Sequence, residues 1–202
     1  LRASHSVLQV LETHAGFGGL TRYYSQMAYM VTSLELKQER VDAIKDLGLS
    51  NVSLLKTDSE REIYGFLYQN RTFDIVDVDP YGLPSRYFPH VFGLIDNGML
   101  YLTFPVMGVA QINKITIEHY RVFWGIELAD KNVYLDKIQQ RLIECAFMHK
   151  RQIEFMDIQK INRIYRLAIQ VKKTSMLDIV GLEVNRCKPV TKQIDRQLDM
   201  FE

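Results

Sequence analysis

Short β-branched runs alternate with helix-length stretches along most of the chain, and this predicts an α/β fold built on a mostly parallel sheet with helices on both faces. Two further observations support it. The early runs are nearly continuous in apolar residues, as strands buried on both faces are. The last two, 151–159 and 164–173, are joined by a short polar link that suits an antiparallel hairpin. The 202 residues suffice for one sizeable domain, and 47% of them are hydrophobic.

The expected strands are 6–12 (SVLQVLE), 29–35 (YMVTSLE), 52–56 (VSLLK), 73–78 (FDIVDV) and 98–104 (GMLYLTF), followed by the hairpin. Between them lie expected helices at 18–28, 37–47, 59–69, 84–95, 111–124 and 132–148. No repeat or linker interrupts this order, so residues 1–184 read as one domain and 185–202 as a polar tail. No stretch approaches the length of a membrane span, and no secretory leader pattern opens the chain, which starts at Leu1 rather than Met. Cys145 and Cys187 are isolated, which argues against a disulfide framework or a structural metal site and fits a reducing, cytoplasmic setting. A net charge of +1 names no partner.

The first strand runs into Glu12-Thr13-His14-Ala15-Gly16-Phe17-Gly18-Gly19. Glycines at a strand-to-helix turn let backbone approach a ligand and leave helix N–H groups facing it; tight packing of strand against helix asks for the same residues. At the end of the second strand, Glu35 can accept ribose hydroxyls or serve as a helix N-terminal acid. Asp58, after the third, can meet an adenine amino group or cap the next helix. The fourth strand stops at Asp79-Pro80-Tyr81-Gly82, because strand interiors exclude Pro and disfavour Asp.

In this order, the four strand-end groups resemble the motifs of class I S-adenosylmethionine-dependent methyltransferases over residues 6 to 173. The resemblance implies a Rossmann-like sheet of about seven strands with an antiparallel final strand. It also implies a cofactor site at Glu12, His14, Gly16, Gly18, Glu35, Asp58 and Asp79: glycine turn on the methionine moiety, Glu35 on the ribose, Asp58 on adenine. A nicotinamide dehydrogenase shares the glycine turn and the acid after strand two, but has no use for Asp-Pro-Tyr after strand four.

Asp79, Pro80 and Tyr81 are the expected catalytic residues. An exocyclic base amine is a poor nucleophile because its lone pair is delocalised into the ring. A carboxylate and a backbone carbonyl accepting its two N–H groups favour a pyramidal nitrogen whose lone pair faces the sulfonium methyl. Asp79 supplies the first acceptor and Pro80 the second, while Tyr81 offers a flat surface for an unstacked base. Amino-group methyltransferases of nucleic acids carry a similar Asp/Asn-Pro-Pro-aromatic motif, with two prolines where this chain has one. The run Val76-Asp77-Val78-Asp79-Pro80-Tyr81-Gly82-Leu83-Pro84 is closer to the Asp-x-Asp-Pro-aromatic-Gly-x-Pro motif of tRNA guanine-N2 dimethyltransferases.

The C-terminal Gln197-Leu198-Asp199-Met200-Phe201-Glu202 resembles the peptide by which bacterial replication proteins dock on the sliding clamp, with Gln197, Leu198, Met200 and Phe201 as contacts; an amphipathic turn packed on its own domain is the alternative. The tail makes DNA the slightly favoured substrate, and the single-proline motif makes guanine-N2 of tRNA or another RNA the alternative. A non-catalytic accessory subunit binding cofactor or nucleic acid is a further alternative. Arg121-Val122-Phe123-Trp124 and Arg163-Ile164-Tyr165-Arg166 mix cations with aromatics and read as a partly buried helix and a strand edge rather than a nucleic-acid surface. Lys172, Lys173, Lys188, Lys192 and Arg196 suit either a basic approach to phosphates or a solvated tail. Only about 45 residues separate the fifth strand from the hairpin, so target recognition is expected to use a partner or a second copy.

Overall fold

The computed structural model describes residues 7–81, 84, 86–105, 134–161 and 164–175. Seven strands form one sheet in the order β3-β2-β1-β4-β5-β7-β6. They are β1 (Gln9–Glu12), β2 (Met30–Glu35), β3 (Val52–Lys56), β4 (Ile75–Val78), β5 (Asn97–Pro105), β6 (Arg151–Ile161) and β7 (Ile164–Lys173). β1 to β5 pair in parallel, and β7 lies antiparallel between β5 and β6. The helices are α1 (Gly19–Ser25), α2 (Gln38–Asp46), α3 (Ser59–Tyr68), α4 (Phe88–Val91) with a 3-10 turn Phe92–Leu94, and α5 (Tyr134–Met148).

Alternation along the strands divides the core. Leu11, Val76, Val78, Leu100, Leu102, Leu167 and Ile169 are sealed against Ile63 and Phe66 of α3, Phe88 and Val91 of α4, and Ile138 and Leu142 of α5. On the opposite face a smaller cluster joins Val10 and Val31 to Tyr24 and Ala28. The second face is polar toward the strand ends, where Glu12 stands directly opposite Asp77. Here the order of strands reverses, β1 leading left to β2 and β4 leading right to β5, and such a switch point opens a crevice beyond the carboxyl ends of the strands.

Two expected elements differ. The helix anticipated over 84–95 is present only from Phe88 and tightens into the 3-10 turn at Phe92, because Pro89 can sit only in a first turn. Of the segment Arg163–Arg166, expected at a strand edge, Arg163 lies outside the described residues and Ile164 to Arg166 lie on β7, which is internal, while β6 takes the edge. The expected helix 111–124, with Arg121 to Trp124, lies outside the described residues, as does the tail from 185. Gly98 secures the junction of β4 and β5: a Cβ there would stand 2.1 Å from the Asp74 carbonyl oxygen, which accepts from Met99 N–H at 2.8 Å.

Candidate active site

The turn after β1 is shaped by two left-handed glycines with different tasks. Gly18, at φ +82°, packs on α2, where a Cβ would come 2.9 Å from Leu47 Cδ1 and 3.0 Å from Ile44 Cγ1. Gly16, at φ +56°, has open space above it, with nothing within 4 Å of a built Cβ. Packing therefore accounts for Gly18, while Gly16 leaves backbone accessible at the crevice.

Glu35 closes over this turn. Its Oε1 accepts from the N–H groups of Leu36 and Lys37, both at 2.8 Å, and its Oε2 from Gly16 N–H at 3.0 Å. Arg40 stands 3.7 Å from Oε2. A carboxylate offers about four acceptor positions, so the bonds to backbone leave room on Oε2 for a hydroxyl, and a second is taken only where Gly16 N–H gives way. Asp58 is the N-cap of α3, its Oδ1 accepting from Glu60 N–H at 3.0 Å and Arg61 N–H at 3.2 Å.

His14 occupies the middle of this acidic rim. Thr13 Oγ1 donates its proton to the Asp77 carbonyl at 3.0 Å and therefore accepts from His14 Nδ1–H at 2.7 Å. Nε2 then takes the proton of Tyr87 OH at 3.1 Å, and that oxygen accepts from Arg86 at 2.8 Å. Burial, with Arg86 adding to it, pushes the His14 pKa down to about 4, so the ring is neutral with both nitrogens engaged. It shapes the crevice and is not disposed to act as a base.

Glu12 is turned inward. Its Oε2 accepts from Thr21 Oγ1 at 2.5 Å and Ser33 Oγ at 3.0 Å, fastening β1, β2 and α1 together. Burial drives its pKa up to about 7, with the Asp77 carboxylate adding to the rise. Asp77 is itself buried and accepts from Tyr24 OH and from both terminal nitrogens of Arg166, one bond measuring 2.9 Å.

Two residues further along the same face, Asp79 reaches the open end of β4. It is solvent-accessible on one side and crowded by protein on the other; burial raises its pKa, opposed by the Thr103 hydroxyl and Arg166. Pro80 is half-buried and Tyr81 fully exposed, its ring free to receive a planar partner. The structure brings Glu35, Gly16 and His14 together with Asp58 near them, sets Asp79 at the end of the adjoining strand β4, and turns Gly18 and Glu12 inward as framework. Gly82 and residues Gln197 to Phe201 lie outside the described residues.

Sequence reading did not assign Asp77, Tyr24 or Thr103, nor the Arg86–Tyr87 pair that anchors His14. Asp77 and Thr103 showed only as polar residues inside strands, while Tyr24, Arg86 and Tyr87, in or next to helices, carried no signal until the fold brought them to their partners.

A strand order of 3-2-1-4-5-7-6 with one reversed strand identifies the fold. The chain has the class I methyltransferase fold. Trm1 from Pyrococcus horikoshii, solved with S-adenosyl-L-methionine, superposes with a TM-score of 0.67 at 12% identity, covering 83% of this chain and 51% of that one. Trm5b from Pyrococcus abyssi gives 0.58 at 13% identity, covering 84% and 45%. A ribosomal protein L11 methylase from Lactobacillus delbrueckii subsp. bulgaricus gives 0.54 at 16%, covering 85% and 73%. The chain spans about half the length of the first two. No family model and no curated protein matches the sequence. Among the described residues no helix is long and apolar enough to cross a membrane, and no group of His, Cys, Asp and Glu is placed to hold a metal ion.

The donor set of the crevice fits a nucleoside cofactor. Acid acceptors stand at the ends of β2 and β3, an open left-handed glycine lies between them, and the neighbouring His14 is neutral.

Proposed function

We propose that this protein is an S-adenosylmethionine-dependent methyltransferase acting on an exocyclic amino nitrogen of a nucleobase in nucleic acid. The observation that carries the reading is Asp79-Pro80-Tyr81 at the mouth of β4, across the switch point from the Gly16 turn. Glu35 would hold the ribose, Asp58 the adenine amino group, and the Glu12–Gly18 turn, with His14 beside it, the methionine end. When bound, the cofactor supplies an electrophilic methyl group on a sulfonium.

Asp79 accepts one N–H of the amine and Pro80 carbonyl the other, which withdraws the nitrogen lone pair from the ring and aims it outward. The Asp79 carboxylate also offsets the positive charge that grows on nitrogen during transfer. Tyr81 stacks on the base once it leaves its neighbours, a contact worth about 1–3 kcal/mol per base.

A protein methylase shares the fold, so the fold leaves the acceptor open and the strand-end residues must choose it. The single-proline motif belongs to the site itself and favours guanine-N2 of an RNA. The lean toward DNA rests on the tail, whose contact with a sliding clamp is a proposal tested by deleting residues 197–202 and measuring clamp binding.

The deciding experiment incubates the chain with methyl-labelled cofactor and, separately, tRNA, duplex DNA and single-stranded DNA, followed by nucleoside analysis. Label in an N-methylated base is expected, and Asp79→Ala is expected to abolish it while cofactor affinity stays within about twofold, because Asp79 acts on the amine. Undiminished methylation by that variant removes Asp79 from the mechanism. Cofactor binding without transfer to any polymer turns the reading into that of an accessory subunit.

A further inference from the structure

Two hydrogen-bonded paths meet at His14. On one side its Nδ1–H donates to Thr13 Oγ1 at 2.7 Å, and that hydroxyl donates to the Asp77 carbonyl at 3.0 Å, beside a bond of 2.9 Å from Thr13 N–H to the same carbonyl. On the other side Nε2 accepts from Tyr87 OH at 3.1 Å, and that oxygen accepts from Arg86 at 2.8 Å. An arginine only donates and a carbonyl only accepts, so the proton of each bond between them has one direction. The path crosses the cofactor turn, but its ends belong to the substrate side. Asp77 lies on β4 just before Asp79; Tyr87 lies beyond Tyr81, its own N–H donating to the Pro84 carbonyl at 2.9 Å. Asp79, Pro80 and Tyr81 therefore stand between two anchors, and both anchors are fastened to the Thr13–His14 pair.

We propose that Tyr87 is a positioning residue: through His14 it fixes the stretch carrying Asp79, Pro80 and Tyr81 against the glycine turn that receives the cofactor. The inference rests on the role given above to Asp79 and deepens it. Tyr87 is 2% exposed, and its ring meets that of His14 edge-on, with 5.0 Å between centroids and 72° between planes. Arg86 stacks on the Tyr87 ring at 5.0 Å and stands 3.6 Å from Glu60 on α3, the helix that Asp58 caps. The ring is thus held by packing, and Phe would fill the same space. What the hydroxyl adds is a bond between two segments 73 residues apart, one on the donor side of the crevice and one on the acceptor side. A path of this kind sets the distance between methyl donor and amine, the quantity on which transfer depends most steeply.

Tyr87→Phe keeps the ring and deletes the bond to His14. Thr13→Val cuts the same path on the other side of His14, and Thr13→Ser keeps the hydroxyl. Backbone amide NMR spectra of the full chain, without cofactor, are compared with those of wild type, and the steady-state kinetics of methyl transfer to unmodified tRNA transcripts are measured in parallel. In Tyr87→Phe the amide signals of Asp79 and Tyr81 are expected to shift together with that of His14, although neither residue is a member of the path, while those of β3 and α2 hold. In the kinetics kcat is expected to fall about tenfold through misplacement of the acceptor, and KM for the cofactor to hold. Thr13→Val gives the same losses, and Thr13→Ser returns kcat toward wild type. The double variant Tyr87→Phe/Thr13→Val falls no further than either single one, because a path cut once is already open. Asp79 and Tyr81 signals unmoved in Tyr87→Phe, an unchanged kcat, or losses that multiply in the double variant overturn the positioning role. Full transfer by Asp79→Ala instead overturns the proposed function, while the amide signals still report whether Tyr87 fixes this stretch.

Discussion

Glu12→Gln isolates the cost of one buried carboxylate. In the folded chain Glu12 has its pKa raised from 4.5 to about 7, chiefly by burial and further by Asp77 across the strand pair. Each pKa unit is worth about 1.4 kcal/mol, so the displacement corresponds to about 3 kcal/mol. Below pH 4.5 both folded and unfolded chains hold this proton, and folding carries no penalty from it. Between 4.5 and about 7 the unfolded chain releases the proton while the folded chain keeps it, and stability drains as pH rises. Above about 7 the full penalty applies. Gln keeps an oxygen for Thr21 and Ser33, which bond the same carboxylate oxygen, and carries no charge at any pH, so whatever its NH2 group costs is the same across the range. Urea unfolding of both proteins from pH 4.5 to 8 should show wild type losing about 3 kcal/mol relative to the variant, with m-values equal. A wild-type-minus-variant difference that stays flat across this range refutes the assignment of a protonated Glu12.

Four other substitutions test the framework and the mouth of the site. Gly98→Ala drives a Cβ to 2.1 Å from a backbone oxygen that cannot move aside, and should leave little folded protein by circular dichroism, whereas Gly48→Ala, with open space around it, costs only the strain of its left-handed backbone, about 1–2 kcal/mol. Asp58→Ala removes the cap of α3 and should lower stability by about 1 kcal/mol; a larger loss in cofactor affinity than in stability, read by calorimetry, identifies the adenine contact. Tyr81→Ala touches a fully exposed ring, so stability should stay within about 0.5 kcal/mol, while KM for the nucleic acid rises about tenfold, the worth of one stacking contact.

The strands and their order of use were legible because buried parallel strands are written as continuous apolar runs, and the residues ending them are the ones a sheet interior rejects: Glu35, Asp58 and Asp79 each follow such a run. Helix limits were less so. The 84–95 segment has helical periodicity, yet Pro89 allows a helix only from Phe88 onward. Arg166 shows why side-chain roles escaped. In sequence it is one cation in an aromatic strand; only the insertion of β7 between β5 and β6 brings it onto Asp77, 89 residues away.

Taken alone, the amino-acid sequence determined the alternation of elements, the glycine turn and the acids that close the strands, since each depends on local backbone rules and on burial along a single segment. Tertiary structure alone decided that Gly16 faces open space while Gly18 is packed, that Glu12 points inward, and that Arg166 joins Asp77 to Thr103. Those outcomes depend on strand register, which sets side chains from distant segments within hydrogen-bonding reach and has no representation in any single stretch of chain.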